Sequence, residues 1–228
     1  MTEGAFAFPL SFAQQRLWFL DQLLPGNSFY NIPAALRLSV PLSIPILEQS
    51  LNEIVHRHEA LRTTFVTNDG EPVQVISAKE HVGLGVTDLR YLPAAEREAE
   101  AIRLATEEAQ QPFDLSRGPL VRTSLLRMEE ADYVFLLTMH HIVTDGWSMN
   151  IFFQELTTLY NAFALGRPSP LAELAIQYAD YAVWQREWLQ GEVLEGQLNY
   201  WREQLRDLPL LQMPTDRARP AVQTFRGA

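Results

Sequence analysis

The apolar run Tyr133-Val134-Phe135-Leu136-Leu137 continues through Thr138 and Met139 into His140-His141 and then Ile142-Val143-Thr144-Asp145-Gly146. The run is too short for an ordinary helix and reads as a buried strand. Beyond Gly146, the residues Met149, Phe152, Phe153, Leu156, Leu159, Tyr160 and Phe163 recur at helical spacing. A buried strand, a tight turn and an amphipathic helix therefore follow one another here. Successive side chains on a strand point to opposite faces, so His140 and His141 diverge and only one can face a reaction centre. His141 falls at or just past the strand end. Gly146 reads as a close or left-handed passage of the backbone, and the helix after it directs amides and the positive end of its dipole toward the histidine.

From the residues alone, two readings stay open. One is a hydrogen-bonded knot of histidines and Asp145 that ties strand to helix. The other is an imidazole set beside amide donors, suited to attack on a carbonyl that becomes an oxyanion. A metal site fits poorly, because adjacent strand histidines diverge and the chain has no cysteine.

The flanking chain supplies a core. Ser11 caps a helix running to Leu23, Asn31 to Val40 reads as a strand, and Ser43 starts a helix with Leu47, Leu51, Ile54 and Val55 on one side. At the end of that helix, Arg57 and His58 suit a C-terminal cap, where cations are favoured. A strand from Leu61 to Thr67 meets Asp69-Gly70, a hairpin signal, before Pro72 to Ile76. Gly83 to Asp88 is a short strand. Pro93 to Gln110 is a charged helix whose apolar side is Ile102, Leu104, Ala105 and Ala109. Val121 to Met128 is a strand, paired antiparallel with the histidine strand. Tyr178, Tyr181, Trp184 and Trp188 form an aromatic stripe of the kind that packs in a core or against another lobe. Leu194 to Arg206 is a last helix, and the chain loosens from Pro209. The expected class is α/β, a two-layer sandwich with a mixed, mainly antiparallel sheet.

The pattern HHxxxDG, here His140, His141, Asp145 and Gly146, resembles the core motif of nonribosomal peptide synthetase condensation domains, in a superfamily with chloramphenicol acetyltransferase. Ser11-Phe12-Ala13-Gln14-Gln15-Arg16-Leu17-Trp18-Phe19-Leu20 resembles the opening motif of that family. Arg57-His58-Glu59-Ala60-Leu61-Arg62-Thr63-Thr64-Phe65 resembles its second and Tyr178-Ala179-Asp180-Tyr181-Ala182-Val183-Trp184-Gln185 its fourth. The resemblance implies a chloramphenicol acetyltransferase-like lobe over residues 1–208, with 209–228 a linker toward a second condensation lobe. It implies amide formation between an acyl or peptidyl thioester and an aminoacyl acceptor, both on phosphopantetheine arms supplied by upstream and downstream carrier proteins, with an adenylation domain adjacent. No cofactor is expected on this chain itself. His141 is the expected working residue, His140, Asp145 and Gly146 complete the site, and Arg62 to Asp145 is the expected buried ion pair. A noncatalytic lobe that docks a carrier protein or neighbouring domain is the alternative. An O-acyltransferase using coenzyme A shares HHxxxD but not the arginine and aromatic motifs.

Composition narrows the partners. A net charge of -10 argues against nucleic-acid binding, and Lys79 is the single lysine, leaving no good Schiff-base candidate. The GxSxG elbow, the phosphate loop and the phosphopantetheine-accepting serine motif are all absent from the sequence. The first residues do not read as a signal peptide and no apolar run is long enough to span a bilayer, so a cytoplasmic location is expected.

Overall fold

The computed structural model describes residues 6–209, 211 and 213–218. Strand β7, Asp132–His140, is buried without interruption from Phe135 to His140, the pattern of a strand covered on both faces. It lies inside a four-stranded sheet ordered β2-β7-β6-β5, with β2 at Asn31–Leu38, β5 at Leu84–Asp88 and β6 at Val121–Glu129. β2 and β6 pair with β7 antiparallel, whereas β5 pairs with β6 parallel, so the sheet is mixed and mainly antiparallel as expected.

Alternation along β7 sorts the core. Tyr133, Phe135, Leu137 and Met139 face α2 (Ile44–Arg57) and α4 (Gly146–Ala164), packing with Leu51, Ile54, Val55, Phe152 and Leu159. Val134 and Leu136 face the other way, toward α3 (Ala94–Gln110), where Ala101, Leu104 and Ala105 meet Leu126 and Met128. Ile102, expected on the apolar side of α3, is instead 62% exposed. Ala101, Leu104 and Ala105 make one helical stripe, and Ile102 lies a residue off it.

A second, three-stranded sheet is ordered β1-β4-β3, with β1 at Phe6–Pro9, β3 at Thr63–Asn68 and β4 at Glu71–Ile76. The β3–β4 hairpin turns at Asp69 and Gly70, both at positive φ (50° and 86°), the conformation that an Asp-Gly pair favours. β1 carries no alternating signal in the sequence; its backbone pairing with β4 creates it. A 3₁₀ turn, Glu59–Arg62, replaces the expected start of β3. α1 (Phe12–Leu23) is opened by a complete capping box between Ser11 and Gln14. Its Leu17 joins Leu10, Phe65, Phe113, Leu115, Leu120 and Ile142 in a third apolar cluster.

The chain divides into two compact units, Met1–Trp184 and Gln185–Ala228. α5 covers Tyr178–Trp188 and α6 covers Gly191–Gln204; α6 buries none of its side chains and so adds nothing to a core. Of the expected linker 209–228, the described residues belong to no helix or strand and the rest lies outside the described residues. No described helix is long and apolar enough to cross a membrane.

The two faces of this sheet predict unequal costs. Leu137→Ala, at a side chain with no exposure, should destabilise by about 2–5 kcal/mol in urea unfolding. Ile102→Ala should stay within about 0.5 kcal/mol.

Candidate active site

The turn after β7 is tied to both neighbours. His140 N donates to Leu120 O at 3.0 Å, His141 N to Tyr30 O at 2.7 Å, and Val143 N to His140 O at 3.0 Å. His140 lies on the opposite face from Met139 and is 3% exposed. Its Nδ1 accepts from Ile142 N at 3.1 Å, and its ring stands edge-on to Phe113 at 6.1 Å and tilted to Tyr30 at 6.2 Å. Burial, aided by the neighbouring His141, pushes this imidazole down to about 4 from its ordinary value of 6.5. His140 is therefore neutral, its Nδ1 an acceptor, and it braces the turn.

His141 sits past the strand end and is exposed. Its Nδ1 lies 2.7 Å from Thr144 O. A carbonyl oxygen only accepts, so Nδ1 carries the proton and the neutral ring keeps its lone pair on Nε2. The turn thus selects the tautomer whose Nε2 can take a proton.

Asp145 caps α4. Its Oδ1 accepts from Ser148 N at 2.8 Å and from Ser148 Oγ at 2.6 Å. These bonds, and then the charge of His141, hold its carboxyl below the usual range. The expected Arg62–Asp145 ion pair is not formed. Arg62 closes the 3₁₀ turn, which places Glu59 three residues behind it; the guanidinium bonds Glu59 at 3.1 Å and also Ser77 O. A carboxylate on the same turn captures the arginine before Asp145 can. Gly146 also departs from expectation: its φ is not positive, and a Cβ there would meet nothing within 4 Å. The bend is made one residue earlier, by Asp145 at φ -144° and ψ -177°.

Arg57 and His58 do more than cap α2. Both reach across to α4: Arg57 Nε bonds Glu155 Oε1 at 3.1 Å and His58 Nε2 lies 2.7 Å from Oε2. They clamp α2 to α4 behind the turn.

His141, Thr144, Asp145 and Ser148 share a pocket of about 290 Å³ with Arg16 and Tyr178. A second pocket of about 190 Å³, walled by Ile54, Leu61, Met139 and Phe152, shares Thr144 and Ser148 with it. Tyr178, whose stripe suggests a packing residue, lines both, and its hydroxyl lies 3.0 Å from Ser11 Oγ. Arg16 and Tyr30 join the pocket without a role assigned by any sequence pattern; for Arg16 the available signal is its place in the opening motif. Among the described residues, no three His, Cys, Asp or Glu side chains are grouped to hold a metal ion.

The model of the condensation-domain family matches residues 6–228. The chain belongs to that family. Similar condensation-domain sequence occurs in a linear gramicidin synthase of Brevibacillus parabrevis, 58% identical over 96% of this chain and 3% of that protein. Phosphinothricin tripeptide synthetase PhsC of Streptomyces viridochromogenes is 48% identical over 96% of this chain and 20% of its own length. The starter condensation domain of rhizomide synthetase RzmA shares the fold, with a TM-score of 0.80 at 22% identity over 90% of this chain and 49% of that one. The structure of the X-domain in complex with OxyB from teicoplanin biosynthesis has a TM-score of 0.79 at 33% identity, covering 94% of this chain and 47% of that one. The chain therefore spans about half of these solved chains and a small part of the curated relatives.

The contrast between the buried histidine and its ion-pairing neighbours can be measured. Between about pH 6.5 and 4 the unfolded chain binds a proton on His140 that the folded chain refuses, so stability falls as pH falls through that window, by on the order of 3 kcal/mol. Urea midpoints across this range should show the slope, and His140→Gln should remove it. In a double-mutant cycle, Arg62→Ala and Asp145→Ala share no partner and should add within about 0.5 kcal/mol.

Proposed function

We propose that this chain is the first lobe of a domain that forms an amide between carrier-bound thioesters in nonribosomal peptide synthesis. The observation that carries it is the Nδ1 lock from His141 to Thr144, which frees Nε2 beside the pocket. Upstream and downstream carrier proteins present acyl and aminoacyl groups on phosphopantetheine arms, which belong to the substrates. An adjoining adenylation domain, a boundary near residue 208 with a linker over 209–228 toward a second condensation lobe, and a cytoplasmic location complete the proposal.

The chemistry asks little base strength of the histidine. An α-amine with a pKa of about 7.7–8.0 is roughly a tenth unprotonated at pH 7, so supplying free base is worth about 1 kcal/mol. Holding it against the thioester is worth several times more. His141 Nε2 accepts from the attacking amine, orients its lone pair on the carbonyl carbon, takes a proton as the C–N bond forms, and returns it to the departing thiolate. His140 and Asp145 hold the turn in the shape that keeps this tautomer.

A noncatalytic docking lobe is the second reading, favoured by the 33% identity to the X-domain that was solved with OxyB. Turnover separates them. In the complete domain with two loaded carriers, His141→Ala should lower amide formation by about 100-fold or more and leave the melting temperature nearly unchanged. His140→Ala should instead lower the melting temperature. Saturable carrier binding with no amide product from the unmodified domain would support docking.

A further inference from the structure

Attack of an amine on a thioester moves the C=O electron pair onto oxygen, and that charge needs a donor. The start of α4 is poorly placed to supply one. Asp145 sets a carboxylate at that helix end and engages the backbone N–H groups of Ser148 and Trp147. A negative group already occupies the pole that would otherwise favour an oxyanion. The pocket's neutral hydroxyls are also engaged: Ser148 Oγ donates to Asp145, and the Tyr178 hydroxyl is paired with Ser11 Oγ.

One permanently cationic side chain lines this pocket. Arg16 sits on α1 beside Leu17, which is 7% exposed and packed in the third apolar cluster, and the helix is pinned at its start by the capping box at Ser11. The Arg16 side chain is exposed and makes no hydrogen bond or ion pair among the described residues. By contrast, Arg57, Arg62, Arg97 and Arg122 all hold carboxylates. The whole chain has 28 acidic residues to 18 lysines and arginines, so an uncommitted guanidinium beside His141 runs against the composition. A solvated surface arginine is the plain alternative. Arg117 is such an exposed residue, but it lines no pocket with His141.

We infer that Arg16 is a catalytic residue of this site, its guanidinium donating to the thioester carbonyl oxygen as that oxygen becomes anionic. The inference rests on the amide-forming reading above. As the amine nitrogen bonds to the carbonyl carbon, its proton passes to His141 Nε2 and the oxygen charge meets Arg16. The oxygen pair then re-forms the C=O bond, the C–S bond breaks, and the thiolate leaves with the proton from His141. A charged donor is roughly twice as strong as a neutral one, and a fixed arginine stays protonated at any working pH. The same cation disfavours the ammonium form of the nearby nucleophile, so it also raises the free-amine fraction. The other ionisable groups lining the pocket are Tyr30, His141, Asp145 and Tyr178, and Arg16 is not among the groups that lower the Asp145 carboxyl.

The test uses the complete condensation domain with carriers loaded by its neighbouring adenylation domains, and follows single-turnover amide formation from pH 6 to 9. Arg16→Gln should lower the rate by about 100-fold, move the rising limb to higher pH, and leave the melting temperature unchanged. Arg16→Lys should recover part of the rate and restore the limb. A rate for Arg16→Gln within about threefold of the unmodified domain overturns the inference, as does a slower rate with an unmoved limb and no recovery by lysine. If the unmodified domain forms no amide, the amide-forming reading itself fails; if it is active and only the Arg16 results are contrary, that reading stands and the inference alone is lost.

Discussion

Everything at the site depends on β7 being buried on both faces. A strand in that position has no freedom of register, because a slip by one residue would exchange Phe135, Leu137 and Met139 with Val134, Leu136 and Thr138 between the two helical layers. The same parity sends His140 inward against Phe113 and Tyr30 and leaves His141 to begin the turn. Two chemically identical side chains thereby acquire opposite properties: one desolvated and neutral, the other at the surface with a fixed tautomer. The apolar packing of the sheet sets the chemistry of the histidines.

The polar groups around the turn divide the labour of holding it. His140 Nδ1 takes the Ile142 amide, Thr144 O takes the His141 proton, and Asp145 takes the first amides of α4, so each bend of the turn has a local partner. Behind it, Glu155 receives both Arg57 and His58 and keeps α2 against α4. A part-buried carboxylate with two donors is costly to break, because either loss leaves a charge undercompensated. None of these contacts needs to touch a substrate; they keep His141 where a substrate can meet it, which is the larger share of what this reaction requires.

Asp145 and Gly146 show how a recognisable pattern differs from its local physics. The carboxylate is an N-cap, and it makes the bend that the sequence pattern assigns to the glycine. With that carboxylate in place, the helix terminus is electrostatically unlike the empty anion-binding end of a free helix. The positive charge at the pocket comes from a different element, α1, which is 125 residues away in sequence from His141 when counted from Arg16.

The sequence by itself determined the local elements with strong periodicity or explicit stop and start signals: the Ser11 cap, the Asp69-Gly70 hairpin, the histidine strand and the helix after it. It also determined the family, since HHxxxDG and the flanking motifs are short-range patterns. Tertiary structure decided what short-range patterns cannot encode. β1 exists because β4 offers it an edge; Ile102 is exposed because the stripe of α3 falls one residue aside; Arg62 turns to Glu59 because a 3₁₀ turn brings that carboxylate nearer than Asp145. Arg16, Tyr30, His141 and Tyr178 meet in one pocket only after α1, the β2 approach, the turn and α5 have packed. Helix and strand signals are carried by neighbours a few residues apart, whereas an ion pair or a pocket wall is chosen by competition among groups distant in the chain.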